Sequence, residues 1–120
     1  MNIGIVTTWF ERGAAYVSKQ YINALKHKHN IYVYARGGEL YAKNNSHWDE
    51  NFVTWGKRVN NNIPSYIDIK DFANWIKKNS IDIVFFNEQH CWTPVVYCCQ
   101  NGIKTGAYVD YYTETTIPFF

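Results

Sequence analysis

The chain has 120 residues, of which 47% are hydrophobic and 18% are charged, a balance typical of one globular domain rather than of a disordered chain. Its formal net charge of +2 comes from scattered residues, so the composition does not favour a nucleic-acid partner. No apolar run approaches the roughly 18 residues that cross a bilayer, and the N-terminus lacks the pattern of a secretory signal.

The first half of the chain alternates between strand and helix patterns. Residues 2–7 form a short β-branched run that is typical of a buried strand, and apolar residues at three- and four-residue steps predict a helix over 14–25. Further strands are predicted over 31–35 and, after a loop, over 52–55. The helix residues expected to face the sheet are Ala14, Val17, Tyr21 and Leu25.

The second half repeats this alternation. Asp68 is a plausible N-cap for a second amphipathic helix, and residues 82–87 form the clearest strand of the chain. A short helix over 94–100, with Thr93 as its N-cap, precedes a fifth strand over 104–112. This succession predicts a single α/β domain with a Rossmann-like, doubly wound parallel sheet of about five strands.

Ligands of open α/β sheets bind beyond the carboxyl ends of the strands, and here those ends carry polar and aromatic residues. Glu88 and Asp110 each follow a predicted strand and are candidates for a general base or for hydroxyl recognition. We expect a shared surface depression lined by Trp9, Phe10, Arg12, Glu88 and Asp110. The full set of candidate binding residues is Trp9, Phe10, Arg12, Gly13, Ala14, Glu88, Gln89, Tyr111 and Glu114.

Each candidate also has a purely structural explanation. Trp9 and Phe10 could plug the top of the core, and Gly13 could serve only to let the first helix pack closely on the sheet. The two carboxylates could cap a helix or accept a hydrogen bond from a loop amide. Residues 36–38, Arg-Gly-Gly, are interpreted as a turn without a further role.

Several familiar motifs are absent from the sequence. No G-x-G-x-x-G follows the first strand, which disfavours a dinucleotide site of the usual kind, and there is no Walker A sequence. No Ser or Cys occupies a nucleophile-elbow pattern. No cofactor is therefore expected.

The three cysteines bear on redox compartment and on metal binding. Cys91, Cys98 and Cys99 are odd in number and two are adjacent, which makes a poor disulfide framework and favours a reducing cytoplasm. His90 and Cys91 have no second ligand pair at zinc-like spacing, so no metal site is expected.

Four stretches of the sequence resemble one enzyme family. "MNIGIVTTWFERGAAYVSKQYINAL", "YVYARGGE", "NFVTWGKR" and "VDYYTETTIPFF" are similar to the N-terminal half of GT-B glycosyltransferases of the group 1 (GT4-like) type. The resemblance covers essentially the whole chain. It implies a two-domain retaining enzyme, in which residues 1–120 are the acceptor-side domain and a nucleotide-sugar domain lies further along the polypeptide.

The resemblance also implies roles for individual residues. The loop after the first strand matches the segment that lines the acceptor side of the cleft in the family. Gly13 and Ala14 match small residues that lie close to the diphosphate and sugar of the donor. Asp110 falls near the place where many relatives have a histidine beside the transferred sugar, which makes it the candidate catalytic residue. The acidic pair of the family's donor domain is not part of this sequence.

The partners implied by the resemblance are a nucleotide-sugar donor, held mainly by the second domain, and a glycan or other acceptor. A cytoplasmic enzyme of carbohydrate biosynthesis is expected, and the full enzyme could associate peripherally with a membrane. Two alternatives remain: a flavodoxin-like or sugar-binding module that works alone without catalysis, and a purely structural domain of a larger assembly. Flavin colour in purified material would favour the flavodoxin-like alternative.

Overall fold

The computed structural model describes residues 1–10, 13–37, 43–58, 66–89 and 91–108. Within them, one five-stranded sheet is built from Asn2–Thr7 (β1), Asn30–Ala35 (β2), Val53–Trp55 (β3), Ile83–Asn87 (β4) and Lys104–Tyr108 (β5). The helices of the described chain are Gly13–Leu25 (α1), Ile69–Asn79 (α2) and Thr93–Gln100 (α3). The predicted α/β domain with a parallel sheet of five strands is confirmed.

The strands lie in the order β3-β2-β1-β4-β5, and every neighbouring pair is parallel. The chain therefore moves outward from β1 to β3 and then returns to the other side of β1 with β4. This reversal creates a topological switch point between β1 and β4, where ligands of open α/β sheets bind. The order differs from the 2-1-3-4-5 order of flavodoxin-like proteins.

Helix α1 covers one face of the sheet. Successive strand residues face opposite sides, so Ile3 and Ile5 of β1 share this face with Val33 of β2. Ala15 and Ile22 of α1 pack against them in one buried cluster. These contacts hold α1 antiparallel to the strands, so its first turn lies at the carboxyl edge of the sheet.

Helices α2 and α3 cover the opposite face. Phe72 and Trp75 of α2 and Val95 of α3 belong to one buried cluster with Val6 of β1 and Phe86 of β4. The sheet is therefore enclosed by helices on both faces, as a doubly wound sheet requires.

The buried line of α1 differs from the predicted one. Its fully buried residues are Ala15, Ser18 and Ile22. The residues predicted to face the sheet are only half-buried: Ala14, Val17, Tyr21 and Leu25. The difference has a physical cause, because the polar Ser18 side chain is buried by hydrogen bonds that apolar periodicity does not register.

The helix caps show one confirmed prediction and one wrong prediction. Asp68 caps α2, since its carboxylate accepts a hydrogen bond from the Asp71 amide at 3.1 Å. Thr93 does not cap α3. The amide of Val96 donates to the carbonyl of Trp92 at 2.9 Å, so Trp92 occupies the cap position and Thr93 is the first helical residue.

Candidate functional site

Polar side chains are buried where β1, β2 and β4 end at the carboxyl edge of the sheet. An unpaired polar group in such a place costs free energy, which favours hydrogen bonds among these groups. These side chains, with Ser18 of α1 beside them, form a connected set at the switch point. The set consists of Thr7, Thr8, Ser18, Arg36, Asn87 and Gln89.

Arg36, directly after β2, forms hydrogen bonds with residues at the ends of β1 and β4. Its guanidinium is 2% exposed and donates to the Asn87 carbonyl at 2.7 Å, to Oε1 of Gln89 at 3.2 Å and to Oγ1 of Thr8 at 3.0 Å. A planar group with five N–H donors can serve several acceptors at once. The interpretation of residues 36–38 as a turn without a further role is therefore wrong for Arg36.

A second chain of hydrogen bonds fixes α1 to the sheet. Nδ2 of Asn87 donates to the Ala14 carbonyl at 2.7 Å and to Oγ of Ser18 at 2.8 Å. The Ser18 hydroxyl in turn donates to Oγ1 of Thr7 at 2.8 Å. The first turn of α1 is thus held against both strands of the switch point. A serine within the apolar side of a helix was the sequence signal for this connection.

The segment after β4 is conformationally strained. Glu88 has a φ of +56°, in the left-handed region that a residue with a side chain adopts at a cost of roughly 1–2 kcal/mol. Just before it, Oδ1 of Asn87 is buried without a hydrogen-bond partner among the described residues. Strained backbone and incompletely satisfied polar groups concentrate at functional segments. Both features lie at the switch point.

Gly13 and Ala14 open α1 at this same edge. Gly13 is exposed, and a Cβ built on it would meet no described atom within 4 Å. Close packing of α1 on the sheet therefore does not explain this glycine. The amides of a first helical turn lack intrahelical acceptors and carry the positive end of the helix dipole, which favours a negatively charged group.

The side chain of Trp9 is not part of the polar set at the switch point but packs against Trp48 and Phe52. Its indole is 1% exposed and donates to the Trp48 carbonyl at 2.6 Å. Its ring packs edge-on against Trp48, with centroids 5.4 Å apart, and against Phe52 on the β3 side of α1. Of the two explanations for Trp9, this burial favours the core plug, because no ring face remains for a sugar. Phe10 is half-buried.

The remaining predicted residues divide into two groups. Glu88 is half-buried and Gln89 is fully buried, and both directly follow β4 at the switch point. Gln89 also donates from Nε2 to the Cys91 carbonyl at 2.9 Å, which fixes its amide. The other candidates lie outside the described residues, and their roles stay predictions: Arg12, Asp110, Tyr111 and Glu114.

The cysteines of the described chain are free thiols. Burial, together with the neighbouring Cys99, raises the pKa of the Cys98 thiol to about 12, so Cys98 stays protonated and unreactive at neutral pH.

No group of three or more metal-ligating side chains occurs within the described ranges. Nor does that part of the chain contain a helix long and apolar enough to cross a membrane.

The site thus combines an exposed first residue of α1, a strained segment after β4 and a hydrogen-bonded network of buried polar groups. Helix-end amides favour a negatively charged group, and polar groups at such an edge can hydrogen-bond a polyhydroxylated one. Comparisons of the chain with protein-family models, with curated proteins and with solved structures found no match.

Proposed function

We propose that this chain is the acceptor-side half of a retaining glycosyltransferase, which moves a sugar from a nucleotide-sugar donor to a glycan or other acceptor. The observation that carries the proposal is the N-terminus of α1 at the switch point, with Gly13 exposed and the first turn anchored by Asn87. The sequence resemblance assigns the donor's diphosphate and sugar to the same two residues, Gly13 and Ala14.

The chemistry of glycosyl transfer fits an edge of this kind. As the bond to the sugar breaks, negative charge develops on the leaving diphosphate, and pre-oriented amides stabilise such charge. Anchoring α1 through Ala14 and Ser18 keeps those amides in place before the donor arrives. Gly13 lets the diphosphate approach the backbone, which a larger side chain would prevent.

The acceptor would be held by polar groups around the same edge. Carboxylates accept hydrogen bonds from sugar hydroxyls, and Glu88, which directly follows β4, is the proposed contact of this kind. Asp110 is the proposed catalytic residue, with Arg12, Tyr111 and Glu114 as further acceptor contacts. The proposal includes a cytoplasmic enzyme, a second domain that binds most of the donor, and peripheral attachment to a membrane.

The proposal is tested on the natural protein, with whatever sequence follows Phe120. Incubation with a panel of nucleotide sugars and glycan acceptors should release nucleoside diphosphate. Gly13→Leu should abolish release while leaving the unfolding transition unchanged, since a Cβ at this position would meet no described atom within 4 Å. Lys78→Gln, an exposed change on α2 at the other face of the sheet, is the matched control and should keep full activity.

Two outcomes would contradict the proposal. One is a natural protein that consumes no donor across the panel; donor or acceptor binding without turnover would favour the sugar-binding module instead. The other is a Gly13→Leu variant that turns over donor at the rate of the unsubstituted protein.

A further inference from the structure

A separate cleft lies between α1 and the segment before β3. Its volume is about 370 Å³, within the range of small-molecule sites. We call it the α1–β3 cleft and define it by the polar residues that line it: Lys19, Asn23, Lys26, Ser46, His47 and Glu50. It contacts a different side of α1 from the one that Asn87 anchors.

One wall of the α1–β3 cleft is held rigidly. Nζ of Lys19 lies 3.7 Å from the centroid of the Trp48 ring and donates to the His47 carbonyl at 3.3 Å. A cation over an indole face is attracted by the ring's quadrupole. Trp48 is itself fixed by the hydrogen bond that its carbonyl accepts from Trp9. The positive charge of Lys19 therefore stays at the cleft in one position.

The other polar groups of the cleft are not engaged. The side chains of Lys26 and Glu50 form no ion pair with each other or with any other described residue, although both line the same space. Two lysines face one carboxylate, and no acidic residue occurs between residues 13 and 37. The cleft therefore has a net positive charge and free donors for an anion.

A second compartment, mainly but not wholly apolar, adjoins the cleft. It has a volume of about 310 Å³ and shares Ile22, Lys26 and Phe52 with the α1–β3 cleft, so the two adjoin. Beyond the shared residues it is lined by His29, Asn30, Ile31 and Tyr32. A ligand that filled both compartments would place a charged group beside the lysines and an apolar group beside Ile22 and Phe52.

We propose that the α1–β3 cleft and its apolar extension bind a small amphiphilic anion, a phosphate or carboxylate group attached to an apolar ring or chain. Lys19 and Lys26 bind the anionic group, and Ile22 and Phe52 contact the apolar part. Glu50, on the facing segment before β3, repels the anion and limits its affinity. This site goes beyond the proposed glycosyl transfer and does not depend on it.

The test is a titration of the isotope-labelled chain by two-dimensional NMR at constant ionic strength. The probes are phenyl phosphate, benzoate, inorganic phosphate and benzyl alcohol, followed at the amides of residues 19–26 and at the Trp48 indole. Phenyl phosphate and benzoate should bind with dissociation constants of about millimolar, roughly tenfold tighter than either inorganic phosphate or benzyl alcohol, because only they use both compartments.

Three single-residue variants assign the site. Lys26→Gln should weaken the binding of phenyl phosphate about fivefold, and Glu50→Gln should strengthen it by a similar factor. Lys78→Gln removes the same charge from α2, on the opposite face of the sheet, and should leave binding unchanged. The proposal is overturned if no probe shifts these signals up to about 50 mM. Equal weakening by Lys26→Gln and Lys78→Gln would also overturn it, since only general electrostatics would then be at work.

Discussion

Arg36 shows at the scale of one residue how the carboxyl edge of the sheet is organised. Its buried guanidinium serves acceptors that belong to Asn87, Gln89 and Thr8, which lie far apart in sequence. The sequence places Arg36 at the end of a strand, and that much was predictable. Its burial was not, because its partners come from β1 and β4, and local patterns contain no information about which strands become neighbours.

Replacing Arg36 should therefore destabilise the fold. Arg36→Met leaves three buried acceptors without their donor, and we expect a loss of about 2–4 kcal/mol in the free energy of unfolding. Arg36→Lys should recover only part of this loss, because one ammonium group cannot reproduce a planar fork. Urea denaturation monitored by circular dichroism measures both.

Arg58→Met is the matched control for this prediction. Arg58 is exposed, so its loss should change stability by no more than about 0.5 kcal/mol. If Arg36→Met proved as mild as this control, the buried network would not be a significant source of stability.

At the scale of elements, helices α1 and α2 show which helix properties could be predicted from the sequence pattern and which could not. Helix existence and approximate bounds follow from apolar spacing, and the Asp68 cap follows from residue type. Apolar spacing does not predict which side of α1 is buried, because Ser18 is buried through hydrogen bonds that it donates to Thr7 and accepts from Asn87. Pattern-based prediction counts a serine as polar and therefore places it outside.

The contact between the end of β2 and the end of β3 depends on Gly37. A Cβ at this position would overlap the Lys57 carbonyl oxygen, which is backbone and cannot rotate away. Gly37→Ala should therefore cost about 2–4 kcal/mol in the free energy of unfolding. Gly13→Ala is the matched control and should be within about 0.5 kcal/mol of the natural sequence, since its Cβ would meet no described atom within 4 Å. Thermal denaturation that ranked the two variants equally would contradict the close approach.

The Asp68 cap makes the stability of α2 dependent on pH. The hydrogen bond from the Asp71 amide, aided by the charge of Lys57, holds the pKa of the Asp68 carboxyl below its ordinary value. A carboxyl whose pKa is lower in the folded state stabilises the fold above its unfolded pKa, roughly pH 4, and loses this contribution as the pH falls through the folded value.

Comparison with Asp68→Asn isolates this effect, because asparagine keeps the cap but has no charge to titrate. The natural chain should be the more stable of the two at pH 7, and the difference should shrink as the pH falls below about 4. Urea midpoints at a series of pH values measure it. A difference that stayed constant from pH 7 to about pH 2.5 would show that the carboxylate of Asp68 does not contribute through its charge.

At the scale of the whole molecule, alternation of strand and helix patterns predicts a parallel, doubly wound sheet, and the fold confirms it. The strand order is set by long-range pairing, and it determines that the ends of β1 and β4 form the switch point. The predicted residues Glu88 and Gln89 lie at the carboxyl edge of the sheet because they directly follow β4, and the ends of parallel strands meet at one edge. The hydrogen bonds that connect Arg36, Asn87 and Ser18 at this edge could not be predicted from the sequence, because they join residues from three separate elements.

The proposed function assigns only one side of a two-domain cleft to this chain. One side alone should contribute little of the free energy that a closed cleft gives to catalysis. Enclosing donor and acceptor between two domains orients them and excludes water, a contribution of up to roughly 7–11 kcal/mol. Within the described residues, the carboxyl edge of the sheet has helix-end amides but no phosphate loop, and the buried cation there, Arg36, is engaged by three protein acceptors. Residues 1–120 by themselves should therefore fold without transferring sugar.

The most direct test of this account is calorimetric titration of residues 1–120 with a panel of nucleotide sugars, with donor turnover followed on the same samples. We expect dissociation constants of about millimolar or weaker and no turnover, because the proposed function assigns most of the donor site to a second domain. Micromolar donor binding, or robust transfer of sugar by these residues alone, would contradict the account.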